Sequence, residues 1–223
     1  MFRLLGWLRR VAARANQGPF DWKVYWEDRA KRYGVRAVYN LSHREEELAE
    51  VTTRQKQHLF PLLKQELAGS GLRGLDFGCG PGRFSPELAA TLGGHVWAID
   101  PIQSFIDKAP ADEQVTYQTF DGLTIPFETG FFDVAWVCLV LGGLDDRRLD
   151  HTSTELMRVL KPGGLLFLVE NTTPGRAHVR HWHFRAPADY QVLFPRTTLR
   201  EIGSYLDLVE RISIMAGRKE HSR

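Results

Sequence analysis

Residues 75–84 read LDFGCGPGRF, and this stretch decides which fold the chain adopts. A short apolar run that predicts a strand leads into a loop with glycines at positions 78, 80 and 82, and a helix is predicted to begin directly afterwards. Glycine allows the backbone to turn tightly and to approach a ligand without a Cβ, and the first turn of a helix offers free N–H groups. The glycines fall at every second position, which differs from the dinucleotide fingerprint Gly-x-Gly-x-x-Gly. The stretch therefore predicts a strand, a ligand-binding loop and a helix.

The sequence around this loop alternates between short apolar runs and helical stretches. We predict strands at 73–77, 95–99, 115–119, 132–138, 165–170 and 208–215, and helices at about 84–92, 102–108, 151–159 and 197–205. The connections have the lengths that right-handed crossovers between parallel strands require. The pattern therefore predicts an α/β fold, with three layers in a Rossmann-like arrangement and a mostly parallel sheet.

The first part of the chain predicts a helical cap over residues 1–68, ahead of an α/β domain at 69–223. Within that domain we expect residues 172–195 to form an insertion on the substrate side. Residues 2–15 have the spacing of a basic amphipathic helix. This helix has three interpretations: a cap over the active site, weak contact with a membrane surface, or packing on the core.

Two further helices are predicted in the cap, at about 21–33 and at 43–68. Asp21 is placed to cap the first of them, and Gly34 to end it. The second helix is expected to open with a capping box formed by Ser42 and Glu45, and to be interrupted at Pro61.

Composition and charge narrow the class of protein. The chain has 223 residues with 43% hydrophobic content, and its two cysteines do not suggest a disulfide framework. It lacks both an apolar run long enough to span a bilayer and the apolar centre of a signal peptide, so we predict a cytoplasmic protein. The net charge is +2, with +6 in residues 1–36 and +4 in residues 172–223, which leaves −8 in between. These basic ends fit an anionic small molecule, and the balance is too mild to indicate nucleic acid.

Acidic residues at the ends of the next two predicted strands support a nucleotide-like ligand. Asp100 ends the second strand, 24 positions after Asp76, where a carboxylate can accept hydrogen bonds from a ribose diol. Asp121, Gly122 and Leu123 follow the third strand, where a side chain and an N–H group can contact an adenine edge. A tight structural turn for the glycines and a loop carboxylate for Asp121 are the alternatives.

With these features in place, the sequence resembles a class I S-adenosylmethionine-dependent methyltransferase, close to the domain of ubiquinone and menaquinone biosynthesis methyltransferases. The resemblance runs from about Leu72 to Asn171. Its motifs are LDFGCGPGRF at 75–84, AIDP at 98–101, PF at 126–127, FDV at 132–134 and ELMRVLKPGG at 155–164. It implies a methyltransferase fold whose last strand is antiparallel, S-adenosylmethionine as methyl donor, and S-adenosylhomocysteine as product.

The resemblance also implies which residues bind the donor. Asp76, Gly78 and Gly80 would contact its methionine and sugar portion, and Asp100 with Pro101 would hold the ribose. Asp121, Gly122 and Leu123 would flank the adenine. Cys138 and Leu139, at the end of the fourth strand, would border the sulfonium, where alignment and exclusion of water promote methyl transfer.

The candidates for the residue that activates the acceptor lie after the fifth strand. Related domains often carry histidine after the fourth strand, whereas residues 140–143 here read VLGG. His178, His181 and His183 lie among arginines after the fifth strand, and we predict His181 and His183 as the proton acceptors. The alternative is that these are solvated loop residues, with Trp182 packed on the core.

Metal binding and the acceptor complete the expectations. Glu170-Asn171 lacks a partner carboxylate at the end of the fourth strand, and the histidine cluster has no cysteine nearby, so we predict no metal. Tyr39 and Arg54 are expected to contact the ligand from the cap. The expected acceptor is a small molecule methylated on oxygen or nitrogen: a sugar, a glycolipid precursor or a prenylated ring. A methyltransferase for RNA or protein, and a non-catalytic cofactor-binding partner in a biosynthetic complex, are the alternatives.

Overall fold

A seven-stranded sheet organises the computed structural model, which describes residues 20–177 and 179–221. The strand order is β3-β2-β1-β4-β5-β7-β6. Strand β7 runs antiparallel to both of its neighbours, whereas the other described strands are parallel to one another. The mostly parallel α/β sheet and its antiparallel last strand are thus confirmed. The predicted helix at 2–15 and His178 lie outside the described residues.

The strands are β1 (Arg73–Phe77), β2 (His95–Asp100), β3 (Val115–Thr119), β4 (Phe132–Cys138), β5 (Leu160–Asn171), β6 (Arg200–Asp207) and β7 (Glu210–Arg218). The α-helices are α1 (Trp22–Tyr33), α2 (Leu48–Glu66), α3 (Ser85–Leu92), α4 (Gln103–Ile106), α5 (Asp146–Val159) and α6 (Pro187–Leu193). Short 3₁₀ helices occupy Gly34–Val38, Glu45–Glu47 and Leu141–Gly143.

Two hydrophobic clusters cover the two faces of the sheet. On one face, α2 and α3 pack on the sheet around Trp136, whose ring stacks on Phe167 with 5.0 Å between ring centroids and on Phe60 at 5.3 Å. On the other face, α5 and α6 bury Leu156 and Tyr190 against the sheet. Because both faces are covered, the central strands are apolar nearly throughout, as expected of a parallel sheet.

The helix predicted at 197–205 is wrong, because this segment forms strand β6. Its mostly exposed or partly buried positions fit an edge strand, and antiparallel pairing with β7 stabilises it. Tertiary pairing has overridden local preference here. The strand predicted at 208–215 begins instead at Glu210 and continues to Arg218, while helix α6 was not predicted.

The described part of the predicted cap shows one correct helix and one with wrong details. Asp21 accepts hydrogen bonds at the start of α1, and Gly34 ends that helix, as predicted. Pro61 does not interrupt α2, because its exposed ring leaves the carbonyl of Gln57 open to water while the opposite side of the helix is buried. The capping pair is also different, since the Arg44 N–H donates to Glu47 at 3.0 Å, in place of Ser42 with Glu45.

The helix α1 packs on α4 through a small apolar cluster made of Ala30, Ala37, Ile102 and Phe105. Arg29 of α1 also holds the 3₁₀ helix that contains Ala37, because its Nε donates to the Ala37 carbonyl at 2.7 Å. The first described helix therefore lies beside the carboxyl end of β2. None of the helices at 20–177 and 179–221 is long and apolar enough to cross a membrane.

Candidate functional site

A cavity of about 670 Å³ lies at the carboxyl edge of the parallel strands, beneath α1 and the segment that follows it. The loop after β1 forms its floor. Gly78 and Gly80 have φ angles of 71° and 55°, which side chains other than glycine rarely adopt. A Cβ on Gly78 would also lie 2.6 Å from Val140. The glycines therefore keep the backbone itself exposed to whatever occupies the cavity.

Two buried carboxylates stand behind this loop. Asp100 accepts hydrogen bonds from the Gly80 N–H at 3.0 Å and the Ile102 N–H at 2.9 Å, and Asp76 accepts from the Ser85 hydroxyl at 2.7 Å. Burial raises the pKa of Asp100 to about 6, although the two N–H donors oppose the rise. Burial also raises the pKa of Asp76 to about 7; the Ser85 hydroxyl opposes this and the Asp100 charge adds to it. Together they place concentrated negative charge in the cavity wall.

The loop after β4 forms the adjoining wall and is held by Glu170. Leu139 has a φ of 58°, an unfavourable conformation for a side chain other than glycine. The next N–H groups all donate to the Glu170 carboxylate, from Val140 at 2.9 Å, Leu141 at 2.7 Å and Gly142 at 3.2 Å. Burial raises the pKa of Glu170 to about 7, opposed by these donors and by the Arg185 charge. The Glu170 carboxylate is therefore engaged by the backbone of this loop.

The segment after β5 docks on this same loop. A Cβ on Gly142 would lie 2.5 Å from the Trp182 ring, and the His183 N–H donates to the Gly142 carbonyl at 2.7 Å. Arg185 donates to the carbonyls of Leu141 and Leu144 at 3.2 and 3.0 Å. The indole of Trp182 is thus placed by backbone contacts, and the segment closes one side of the cavity.

Most of the residues predicted to bind the donor line the cavity: Asp76, Gly78, Gly80, Asp100, Pro101, Gly122, Cys138 and Leu139. Asp121 lies outside the lining, and its Oδ1 accepts from the Leu123 N–H at 2.7 Å and the Thr124 N–H at 2.8 Å. This is a local turn of the kind that Asp commonly makes. Leu123 is also outside the lining and is half exposed. Gly122, which does line the cavity, also packs closely on Trp22 of α1, since a Cβ on Gly122 would lie 2.4 Å from the indole ring.

The structure separates the two histidines predicted to accept a proton. His181 lines the cavity, and its ring stacks on Tyr25 with 4.8 Å between centroids. Burial lowers the pKa of His181, and the nearby charge of Arg29 lowers it further. His183 is not among the described residues that line the cavity, although its backbone holds Gly142. Geometry therefore favours His181 of the pair.

The cap contributes Tyr39 but not Arg54. Tyr39 lines the cavity, its hydroxyl lies 2.7 Å from the Thr52 hydroxyl, and the Arg83 guanidinium stands 4.2 Å above its ring. Arg54 is exposed on α2, where it pairs with Glu50 at 3.2 Å. The expected contact from Arg54 is wrong, because its position on the helix faces solvent.

A cluster of polar side chains at the far end of the cavity was not predicted. Its members, called here the polar cluster, are Asn40, Asn171, Arg176, Asp207 and Glu210, all of which line the cavity. Asn171 donates to Glu210 at 2.8 Å, Asn40 lies within 3.5 Å of the same oxygen, and Arg176 donates to the other oxygen. Asp207 lies 2.6 Å from the ring of His43. Asn171 follows directly on the strand predicted at 165–170, which is the available sequence signal, whereas Asp207 follows the helix wrongly predicted at 197–205.

The cavity residues follow the order of the strands along the edge of the sheet. From one side to the other they are Asp100 after β2, Gly78 after β1, Cys138 after β4, Asn171 after β5, Glu210 before β7 and Asp207 after β6. Since neighbouring strands are about 4.8 Å apart, the step from β1 to β7 is roughly 14 Å. Within residues 20–177 and 179–221, no three acidic, histidine or cysteine side chains converge as a metal site would require.

Comparison with known proteins identifies the domain. Residues 75–168 match the family model for a methyltransferase domain. The chain is 26% identical over 186 residues to phosphoethanolamine N-methyltransferase 1 of Triticum aestivum, covering 77% of this chain and 35% of that protein. It is 34% identical over 111 residues to demethylmenaquinone methyltransferase of Clavibacter sepedonicus, covering 47% and 43%. The chain thus carries a methyltransferase domain of the class that uses S-adenosylmethionine.

A solved structure shows the same fold. A crystal structure of a S-adenosylmethionine-dependent methyltransferase from Aquifex aeolicus superposes with a TM-score of 0.59 at 18% identity, covering 79% of this chain and 99% of that one. The chain spans 35%, 51% and 45% of the length of three of the curated relatives that it matches.

Proposed function

We propose that this protein transfers the methyl group of S-adenosylmethionine to an oxygen or nitrogen of a small molecule. The observation that carries the proposal is the single continuous cavity that runs from the glycine loop to the polar cluster. It offers a backbone cradle with two carboxylates at one end and hydrogen-bonding side chains at the other. A donor and an acceptor can therefore meet between them, next to the loop that follows β4.

The residues present fit the donor. Gly78 and Gly80 place backbone groups directly in the cavity lining, and the negative charge of Asp76 and Asp100 suits a ligand that carries an ammonium and a sulfonium. Asp100 retains lone pairs for ribose hydroxyls beyond the two N–H bonds it accepts. Trp22, Pro101 and Gly122 supply an apolar part of the lining that suits the adenine.

The chemistry supplied by the bound donor is an electrophilic methyl group, whose bond to sulfur breaks with its electron pair retained on sulfur as the acceptor's lone pair bonds to carbon. This chain's contribution is to orient the acceptor, exclude water and take up the proton that the acceptor loses. His181 is the proposed proton acceptor, since its lowered pKa keeps the imidazole neutral near pH 7. Leu139 and Cys138 supply an apolar surface beside the point where donor and acceptor meet.

The size and enclosure of the cavity favour a small acceptor over RNA or protein. Its volume of about 670 Å³ lies in the range of small-molecule pockets. Relatives named for phosphoethanolamine and for demethylmenaquinone also support a small-molecule acceptor.

A direct test incubates the purified protein with tritiated S-adenosylmethionine and a cell extract, and then separates small molecules, RNA and protein. We expect S-adenosylhomocysteine to bind in calorimetry and tritium to enter the small-molecule fraction. Tritium in RNA or protein, or no transfer at all by protein that binds S-adenosylhomocysteine, would overturn the proposal.

The proton acceptor is tested with two variants that make the same substitution at His181 and at His183. We expect His181→Asn to lower the rate of transfer by roughly 100-fold or more, as loss of a general base does. His183→Asn is the matched control and should retain the wild-type rate, because the backbone N–H of His183 makes its contact with Gly142. Equal rates for both variants and the wild type would place the proton acceptor elsewhere.

A further inference from the structure

The polar cluster raises the question of which acceptor it recognises, and the answer rests on the proposed function. Five polar side chains from four separate segments converge on one end of the cavity. They come from the loop before α2, the end of β5, the segment after it, and the hairpin between β6 and β7. We propose that this cluster is the acceptor subsite and that the acceptor is a sugar, held through its hydroxyl groups.

Both carboxylates in the cluster already have a partner within the protein. The Glu210 carboxylate faces the Arg176 guanidinium, and the Asp207 carboxylate faces the His43 ring at 2.6 Å. An ammonium ligand would meet Arg176 beside the carboxylate, and a phosphate ligand would meet two carboxylates beside the arginine. An ionic ligand would have to compete with these existing pairs, so the wall favours a ligand that binds through hydroxyl groups.

The donors and acceptors are those that hydroxyl groups require. A hydroxyl both donates and accepts, so it is best bound where carboxylate oxygens and amide N–H groups lie side by side. Glu210 and Asn171, joined by a hydrogen bond of 2.8 Å, present this pairing, and Asn40 extends it. Carboxylates bind ribose diols in nucleotide-binding folds by the same geometry.

The cluster is rigid, which favours a ligand with several fixed hydroxyls. Asn171 accepts from the Thr173 N–H at 3.1 Å and from the Thr173 hydroxyl at 2.7 Å, so its amide is held in one orientation. His43 and Asn171 are buried, and the side chains of Asp207 and Glu210 are 12% and 18% exposed. Such fixed groups lose little conformational entropy when a ligand binds.

Aromatic rings complete the wall. Tyr39, Trp182 and Phe184 line the same cavity, and Arg176 lies 5.6 Å above the ring of Phe184. The C–H faces of a sugar ring pack on aromatic surfaces, while its hydroxyls point to the rim. A flat quinone or phenol would use the rings but would form few hydrogen bonds with the polar cluster, whereas a sugar would form several.

The position of the cluster agrees with this role. Glu210 lies on β7, two strands beyond β4, which places it roughly 10 Å from the loop that is expected to border the transferred methyl group. A six-membered sugar ring held at Glu210 therefore reaches toward that loop with one of its hydroxyls.

The test measures binding before catalysis. Protein saturated with S-adenosylhomocysteine is mixed with methyl glycosides of glucose, galactose, mannose and rhamnose, and in separate samples with phosphoethanolamine and with hydroquinone. Saturation-transfer NMR reports which of these probes bind. We expect at least one glycoside to bind, and the same glycoside to receive tritium from labelled S-adenosylmethionine.

Variants then locate the binding site. We expect Glu210→Gln to weaken glycoside binding roughly ten-fold or more, since a charge-assisted hydrogen bond is lost. Glu113→Gln, which changes an exposed carboxylate outside the cavity, is the matched control and should bind like the wild type. Both variants should bind S-adenosylhomocysteine with unchanged affinity, which shows that they are folded.

The outcomes separate this inference from the proposed function. If phosphoethanolamine or hydroquinone binds and no glycoside does, or if no probe binds, the sugar assignment is wrong while methyl transfer to another acceptor still stands. Unchanged glycoside binding by Glu210→Gln would also overturn the subsite. Failure of the wild type to bind S-adenosylhomocysteine would instead contradict the proposed function itself.

Discussion

Replacing Asp100 by Asn separates the two roles that the structure gives this carboxylate. In the absence of ligand, Asp100 clamps the glycine loop through the Gly80 and Ile102 N–H groups. In the proposed complex it also accepts hydrogen bonds from ribose. The substitution keeps the size of the side chain, but it removes the charge and turns one acceptor oxygen into a donor.

The expected change in the free energy of unfolding is small because two effects oppose each other. The rise in the pKa of Asp100 from 3.8 to about 6 means that its buried charge costs about 3 kcal/mol at pH 8. Asn removes that cost. It also leaves one loop N–H facing an amide N–H, which costs roughly 1–3 kcal/mol. We therefore expect the unfolding midpoint without ligand to move by only a few degrees in either direction.

The expected change in affinity is much larger. Loss of a charged hydrogen-bond acceptor costs about 1.5–3 kcal/mol, which corresponds to a Kd for S-adenosylhomocysteine raised roughly 10- to 100-fold. With ligand at 100 times the wild-type Kd, binding stabilises the wild type by about 2.7 kcal/mol, and a 100-fold weaker variant by about 0.4 kcal/mol. The ligand-induced shift in melting temperature should fall accordingly.

The assay is a thermal melt with and without S-adenosylhomocysteine, followed by calorimetric measurement of the Kd. Asp112→Asn is the matched control, because Asp112 accepts the Gln114 N–H at 2.8 Å in an exposed turn outside the cavity. If Asp100→Asn shows the full ligand-induced shift of the wild type, Asp100 does not hold the ligand, and the ribose assignment is refuted.

Two further results are expected. The affinity for S-adenosylhomocysteine should be constant above about pH 8 and fall as the pH drops through about 7 and then about 6, since protonation neutralises Asp76 and Asp100. Calorimetry at a series of pH values across this range measures the affinity. A wild-type affinity that does not change with pH would contradict the prediction. Gly142→Ala should destabilise the protein by about 1–3 kcal/mol in denaturant unfolding, because the new Cβ lies 2.5 Å from the Trp182 ring. Gly143→Ala is its control, because a Cβ on Gly143 would lie 3.8 Å from its nearest neighbour. Equal stability of the two variants would show that the Trp182 ring can move aside without cost.

The sequence predicted the donor half of the site because its residues are local to strand ends. Gly78, Gly80 and Asp100 follow β1 and β2 directly, so a correct strand assignment places them at one edge of the sheet. Asp121 is different. Its type and position fitted a ligand contact, but its carboxylate is engaged by the Leu123 and Thr124 N–H groups two and three positions later. A side chain that satisfies its own turn looks the same in sequence as one that faces a ligand.

The acceptor half could not be predicted because it depends on contacts between distant parts of the chain. Asn40 and Glu210 are 170 positions apart and meet only because the hairpin of β6 and β7 returns to the edge beside β5. Assigning 197–205 to a helix removed β6, and with it the turn that presents Asp207 and Glu210. An edge strand with a mixed burial pattern gives a weak periodic signal, so its partner strand determines its structure.

The loop at 139–143 ties the two halves together and makes their ligands interdependent. On the donor side, the side chain of Val140 lies over Gly78. On the acceptor side, Gly142 packs against Trp182, which belongs to the same cavity-lining segment as Arg176. Glu170 fixes the loop between them through three N–H groups. Because this one loop borders both subsites, a ligand that selects one position of the loop on the donor side also determines the wall that the acceptor meets. Because such coupling is reciprocal, a sugar should bind more tightly to protein that holds S-adenosylhomocysteine, and by the same factor S-adenosylhomocysteine should bind more tightly in the presence of the sugar.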